Sequence, residues 1–267
     1  MSLPAIDITD ITDPADERLA DYRQLKERHL NADGGRFVAE SERVVRRLLG
    51  SGLRVLSVLV TAPRLATLAD ALAGPTSFPV YLASQATLDA IAGFHVHRGC
   101  LAIGERPPPA SVPRGARAVV VLEDLTDVDN LGALARHAAA FGVDALMLSP
   151  RCADPFYRKA VRVSLGAVFS LPIVRATRWP DDLAALRGDG FALVAAVVEP
   201  GATPLAHLRP PDRFALVLGA EGPGLSAAAR DACDHRVTIP MSPGADSLNV
   251  ATAGAIFLYA LTRCHSS

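Results

Sequence analysis

The apolar positions of this chain change period several times. Short unbroken apolar runs alternate with stretches in which apolar residues recur every three or four positions. The runs suit strands buried on both faces, and the stretches suit amphipathic helices. Residues 16–30 predict a charged helix. GRFVAESERVVRRLLGSGLRVLSVLVT then reads as strand, helix and strand, with Ser41 as the cap ahead of Val44, Val45, Leu48 and Leu49, and Gly50 to Gly52 as the stop. Helices are expected near Leu65 to Leu72 and Gln85 to Ile91, separated by PVYLAS, with a last strand at Leu101 to Ile103. The Pro-rich stretch that follows reads as a linker over 106–116.

Beyond the linker, AVVVLEDLTDVDNLGALARHAAAFGVDALMLSP reads as strand, helix and strand, with Val119 to Leu122 as a buried parallel strand and Asp129 or Asn130 as the helix cap. A short helix with Arg158, Lys159 and Arg162 follows, then a helix from Trp179 to Leu186, the strand FALVAAVV, and a strand with a Gly-rich loop in RFALVLGAEGPGLS. In IPMSPGADSLNVATAGAIFLY, Pro240, Pro243 and Gly244 punctuate a loop and Ser247 stands where an N-cap belongs. The helix from Asn249 to Cys264 is apolar around its circumference, so it is expected in a core or at a subunit contact. The pattern is α/β: a small domain over 1–105 and a second, with a parallel sheet, over 117–267.

Composition narrows the function classes. With 267 residues, half of them hydrophobic, and a mean hydropathy of +0.24, the chain can bury a sizeable core. No apolar run reaches membrane-spanning length, and MSLPAIDITDITDPADERL lacks the features of a signal peptide, so a cytoplasmic protein with no membrane partner is expected. Cys100, Cys152, Cys233 and Cys264 show no paired spacing, and His95, His97 and Arg98 have no ligand cluster beside them, so no metal is expected.

The balance of 27 basic against 28 acidic residues removes any bulk-charge argument for nucleic acid, and RNA binding must rest on local patches. Arg158 and Arg162 share a helix side, with Lys159 beside them, as a phosphate-facing edge. Arg43 and Arg47, with Arg36 and Arg46, offer a basic face on the first domain, but Glu40 and Glu42 among them favour a solvated helix face. The GxGxxG and GxxxxGK[ST] phosphate cradles are absent, which argues against a nucleotide-dependent oxidoreductase.

Three stretches, DNLGALARHAAAFG at 129–142, LVLGAEGPGLS at 216–226 and IPMSPGADSLNVATAGAIFLY at 239–259, resemble in order and spacing the three motifs of the SpoU/TrmH family of RNA ribose 2′-O-methyltransferases, within the SPOUT superfamily. The matching residues are Asn130, Gly132, Arg136, Phe141 and Gly142; Leu218, Gly219, Glu221 and Gly224; and Ile239 to Met241 with Ser247 to Val250. Ala251 stands where family members commonly carry Ser. The first domain is similar to the small ribosomal-protein-like domain that precedes the knot in many members.

The resemblance implies a deep trefoil knot in the second domain, S-adenosylmethionine as cofactor, structured ribosomal or transfer RNA as substrate, and a homodimer in which Arg136 reaches the partner's cofactor. It implies cofactor contacts at Leu218, Gly219, Ile239, Met241 and Leu248. It also implies catalytic roles for Arg136, Asn130, Glu221, Ser247 and Asn249. A guanidinium holds its proton too tightly to serve readily as a base, so stabilisation of charge ranks above deprotonation for Arg136. The alternative is a knotted RNA-binding assembly factor without catalysis. Retention of Arg136, Glu221, Ser247 and Asn249 favours the enzyme, because a retired site has no chemical need for all four.

Overall fold

A computed structural model describes residues 8–23, 25, 35–73, 77–96, 99–244 and 246–262. The chain divides into two units. The first comprises 1–108 and 156–169, the second 109–155 and 170–267.

The first unit is built on a sheet in the order β1-β4-β3-β5-β2, from β1 (Ile8–Ile11), β2 (Arg36–Glu40), β3 (Val55–Val60), β4 (Val80–Ala83) and β5 (Cys100–Glu105). β1, β4 and β3 run parallel, and β5 is antiparallel to both β3 and β2. Beside the sheet are α1 (Ala20–Arg23), α2 (Glu42–Leu49), α3 (Ala62–Leu68) and α4 (Gln85–Ala92). Of the charged helix expected over 16–30, only a 3-10 turn at Glu17–Leu19 and α1 fall among the described residues, and 26–30 lie outside them. Ser41 precedes α2 as expected, yet its side chain makes no cap bond and its φ is 90°, so backbone geometry and not a hydroxyl opens that helix.

The expected continuity of the second domain from 117 to 267 needs correction. Residues 156–169, with α6 (Arg158–Val163), pack on β2 within the first unit. The cause is apolar: the Phe37 ring lies 5.2 Å from those of Phe156 and Phe169, and Ala160 and Val161 are fully buried. Gly104 makes room for this cluster, since a Cβ there would stand 2.4 Å from the Phe37 ring.

The second unit carries a parallel sheet in the order β10-β12-β9-β11-β6-β7-β8. Its strands are β6 (Ala118–Leu122), β7 (Ala145–Leu148), β8 (Ile173–Arg175), β9 (Ala192–Ala196), β10 (Thr203–Pro204), β11 (Phe214–Leu218) and β12 (His235–Thr238). The inner strands are continuous apolar runs because both faces are covered. On one face Val119, Val121, Ala215 and Val217 pack with Leu183 and Leu186 of α7 (Asp181–Gly188) and Ala229 of α8 (Ala227–Asp231). α5 (Val128–Ala140) and α9 (Val250–Thr262) are laid against each other and drawn close at Gly254, where a Cβ would stand 2.4 Å from Leu134 and 3.2 Å from Leu218. No helix among the described residues is long and apolar enough to cross a membrane.

Candidate active site

A cavity of about 560 Å³ opens at the carboxyl ends of three neighbouring strands, β12, β9 and β11. Parallel sheets habitually bind ligands at that edge, because the connecting loops there leave backbone amides and carbonyls unpaired. Each strand supplies its outgoing loop. Residues 197–199 follow β9, 219–225 follow β11, and Ile239, Met241 and 246–249 follow β12 and lead into α9.

The loop after β11 closes on itself. The Gly224 N–H donates to the Ala220 carbonyl at 3.0 Å, and a Cβ on Gly219 would stand 2.2 Å from the Gly224 backbone. Gly219 is therefore required by the loop's own closure, before any ligand approaches. Gly222 and Gly224 hold φ of +83° and +68°, the left-handed region that glycine occupies at little steric cost.

At the entry to α9 one side chain ties three motifs together. Asn249 donates from Nδ2 to Asn130 Oδ1 at 2.8 Å and to Glu221 Oε1 at 2.9 Å, while its Oδ1 accepts the N–H groups of Ala251 and Thr252. Asn249 is thus the N-cap of α9, in place of the expected Ser247, which lies two residues before that cap and lines the cavity. The cap of α5 is likewise corrected: Asp127 accepts from the N–H groups of Asp129 and Asn130, which frees the Asn130 side chain to face Asn249.

Leu218, Gly219, Ile239, Met241 and Leu248 all line this cavity, as do Glu221, Ser247 and Asn249, with Asn130 joined through Asn249. Arg136 is not brought to it. It stands on α5 six residues beyond Asn130, about 9 Å along the axis, exposed and without a hydrogen bond or ion pair among the described residues. Sequence reasoning missed Glu199 and Arg230, which line the cavity and face each other at 3.5 Å. A carboxylate directly after the FALVAAVV strand was the available signal for Glu199.

The cationic residues expected to meet RNA divide. Arg158 donates to Glu40 at 2.7 Å and lies over the Phe94 ring at 4.9 Å, and Arg162 is 3.9 Å from Glu40. These two serve packing and charge balance within the first unit, and Lys159 beside them also has a partner. Arg47 donates to the Leu165 carbonyl at 3.0 Å. Arg43 is exposed and makes no such contact among the described residues. Among those residues no cluster of three or more His, Cys, Asp or Glu is placed to hold a metal ion.

The SpoU rRNA Methylase family model matches residues 117–259, the span that holds the cavity and α5. A Mycobacterium tuberculosis protein named as an uncharacterized tRNA/rRNA methyltransferase is 44% identical over 97% of this chain and 93% of its own length. The 23S rRNA (guanosine(2553)-2′-O)-methyltransferase RlmP of Bacillus subtilis is 28% identical over 92% of this chain and 96% of its own. The crystal structure of the SpoU methyltransferase AviRb from Streptomyces viridochromogenes, in complex with the cofactor AdoMet, superposes with a TM-score of 0.79 at 27% identity, covering 94% of this chain and 99% of that one. A parallel-sheet domain with its ligand edge at β12, β9 and β11, three motifs meeting at Asn249, and a family model spanning both place this chain in the SpoU/TrmH family of the SPOUT superfamily.

Proposed function

We propose that this chain transfers the methyl group of S-adenosylmethionine to a ribose 2′-hydroxyl of ribosomal or transfer RNA. The observation that carries the reading is the meeting of all three motifs around one cavity, with Asn249 bonded to both Asn130 and Glu221. The cavity suits the cofactor. Leu218, Ile239 and Phe257 offer apolar walls for a purine, the Pro/Gly loops leave backbone groups free to read its edge, and Glu199, Arg230 and Glu221 offer charges for a zwitterionic tail and a sulfonium.

The bound cofactor supplies an electrophilic methyl group, and the rest is alignment and management of one proton. Ser247 orients the ribose at the cavity mouth, and Asn249, whose amide is fully engaged by Asn130, Glu221 and the α9 cap, holds Glu221 and Asn130 in place beside it. Arg136 carries a fixed positive charge suited to the developing 2′-oxyanion or the adjacent phosphate. Within one subunit it does not line the cavity, so the site is completed by a second copy. Ile256 (37% exposed) and Tyr259 (49%) on α9 give the apolar surface for that homodimer. The first unit selects the RNA, with exposed Arg43 among the cations that meet its phosphates, and the proposed location is the cytoplasm.

Alkaline hydrolysis tests the ribose assignment, because base cleaves RNA through the 2′-hydroxyl that methylation blocks. RNA treated with the protein and S-adenosylmethionine is expected to leave an alkali-resistant dinucleotide carrying the transferred methyl. Complete conversion of the methylated RNA to mononucleotides would contradict the reading.

A further inference from the structure

Glu123 follows β6 and holds both feet of the glycine loop, though it does not itself line the cavity. Its backbone N–H donates to the Leu218 carbonyl at 2.8 Å, so the β6–β11 ladder extends to the residue that opens the loop. Its carboxylate, in a residue only 3% exposed, receives three donors. The Ser226 N–H reaches Oε2 at 2.8 Å, and the Ser226 hydroxyl and the Trp179 indole N–H reach Oε1 at 2.7 and 2.6 Å. Ser226 is the residue at which the loop ends and α8 is capped, since its hydroxyl accepts the Ala229 N–H at 3.2 Å. Every residue from Gly219 to Leu225, between these two anchors, lines the cavity.

We propose that Glu123 is a positioning residue for the methyl donor: it clamps the two ends of the 219–225 loop and thereby sets the cavity wall that receives S-adenosylmethionine. This rests on the reading of the cavity as the cofactor site. A carboxylate is the side chain that accepts from all three donors at once. The amide of glutamine would turn an N–H against one of them and leave a buried donor unmet. The clamp also wires Trp179, the single tryptophan of the chain, to the loop through a shared acceptor. Its emission therefore reports on the loop.

Calorimetry and fluorescence on full-length variants test the clamp. In the wild-type protein, S-adenosylmethionine is expected to bind and to shift the Trp179 emission. Glu123→Gln is expected to lower the affinity about tenfold or more and to abolish the shift. Ser226→Ala, which keeps the backbone contact and loses the hydroxyl, is expected to fall between. Wild-type affinity with an undiminished shift in both variants overturns the proposal, even if their melting temperatures drop, because Glu123 would then be a purely structural buried acid. Should Glu123→Gln not fold, Ser226→Ala decides by the same two readouts. Absence of any binding by the wild-type protein would overturn the cofactor reading itself, a separate result.

Discussion

Asn249 uses both ends of one amide: Oδ1 caps α9 and Nδ2 bridges Asn130 and Glu221. Asn249→Ala removes both functions, with loss of the cap expected to cost about 1 kcal/mol and methyl transfer expected to fall far more. Asn249→Asp separates them. Aspartate caps as well as asparagine but sets a carboxylate against Glu221 where a donor stood, so thermal unfolding is expected to move less than for alanine while transfer is equally lost. Equal losses of both properties in the two variants would contradict the division of labour. Cys100 gives a second test at this scale. Burial pushes its thiol up to about 12, and its side chain is fully enclosed, so alkylation at pH 8 is expected to spare it until the first unit unfolds. Labelling at the rate of a free thiol would contradict that burial. The motif residues were legible in the sequence because three stretches in the right order and spacing resemble a family's motifs as a set. The caps were not: Ser247, Asp129 and Asn130 are all competent capping residues, and only the backbone path decides which residue stands last before the helix.

At the scale of elements, Gly219 and Gly254 tolerate a side chain poorly, because backbone closes in on the first and packed leucines on the second. Gly219→Ala is expected to abolish cofactor binding with the rest of the fold intact, since the added Cβ meets the Gly224 backbone and forces the loop open. Gly254→Leu is expected to push α9 from α5 and to aggregate or unfold the second unit, because Leu134 and Leu218 leave no space beside that position. Calorimetry for the first and thermal unfolding for the second check these expectations, and a Gly219→Ala protein with unaltered affinity would show that the loop adapts. Most strands and helices could be read from hydrophobic period, the parallel strands most plainly, because burial on both faces leaves an unbroken apolar run in β6, β9 and β11. The attachment of α6 to β2 could not. Its local signal was a basic stripe, whereas the deciding contacts, Phe37 with Phe156 and Phe169 and Glu40 with Arg158, join residues more than a hundred positions apart.

For the whole molecule, the excursion of 156–169 means that the chain cannot be cut into its domains at one point. A chain lacking 1–105 would leave Phe156, Val161 and Phe169 without their apolar cover, and it is expected to aggregate on size exclusion; a soluble monodisperse product would contradict the packing. Arg136 lies outside the cavity of its own chain, and in the proposed homodimer a second copy completes the site. Ile256→Asp, which sets a charge on the apolar stripe of α9, is therefore expected to give an inactive monomer. The central claim, a ribose methylation site completed across two copies, is met most directly by one quantity: the 2′-O-methylnucleoside formed from labelled S-adenosylmethionine by Arg136→Ala, by Asn249→Ala, and by the two after subunit exchange. Each variant alone is expected to be inactive. The exchanged mixture is expected to recover about one quarter of the wild-type yield, because half of randomly paired dimers are mixed and each of those carries one intact site of two. No recovery after demonstrated exchange, or label found only in methylated bases, would contradict the account.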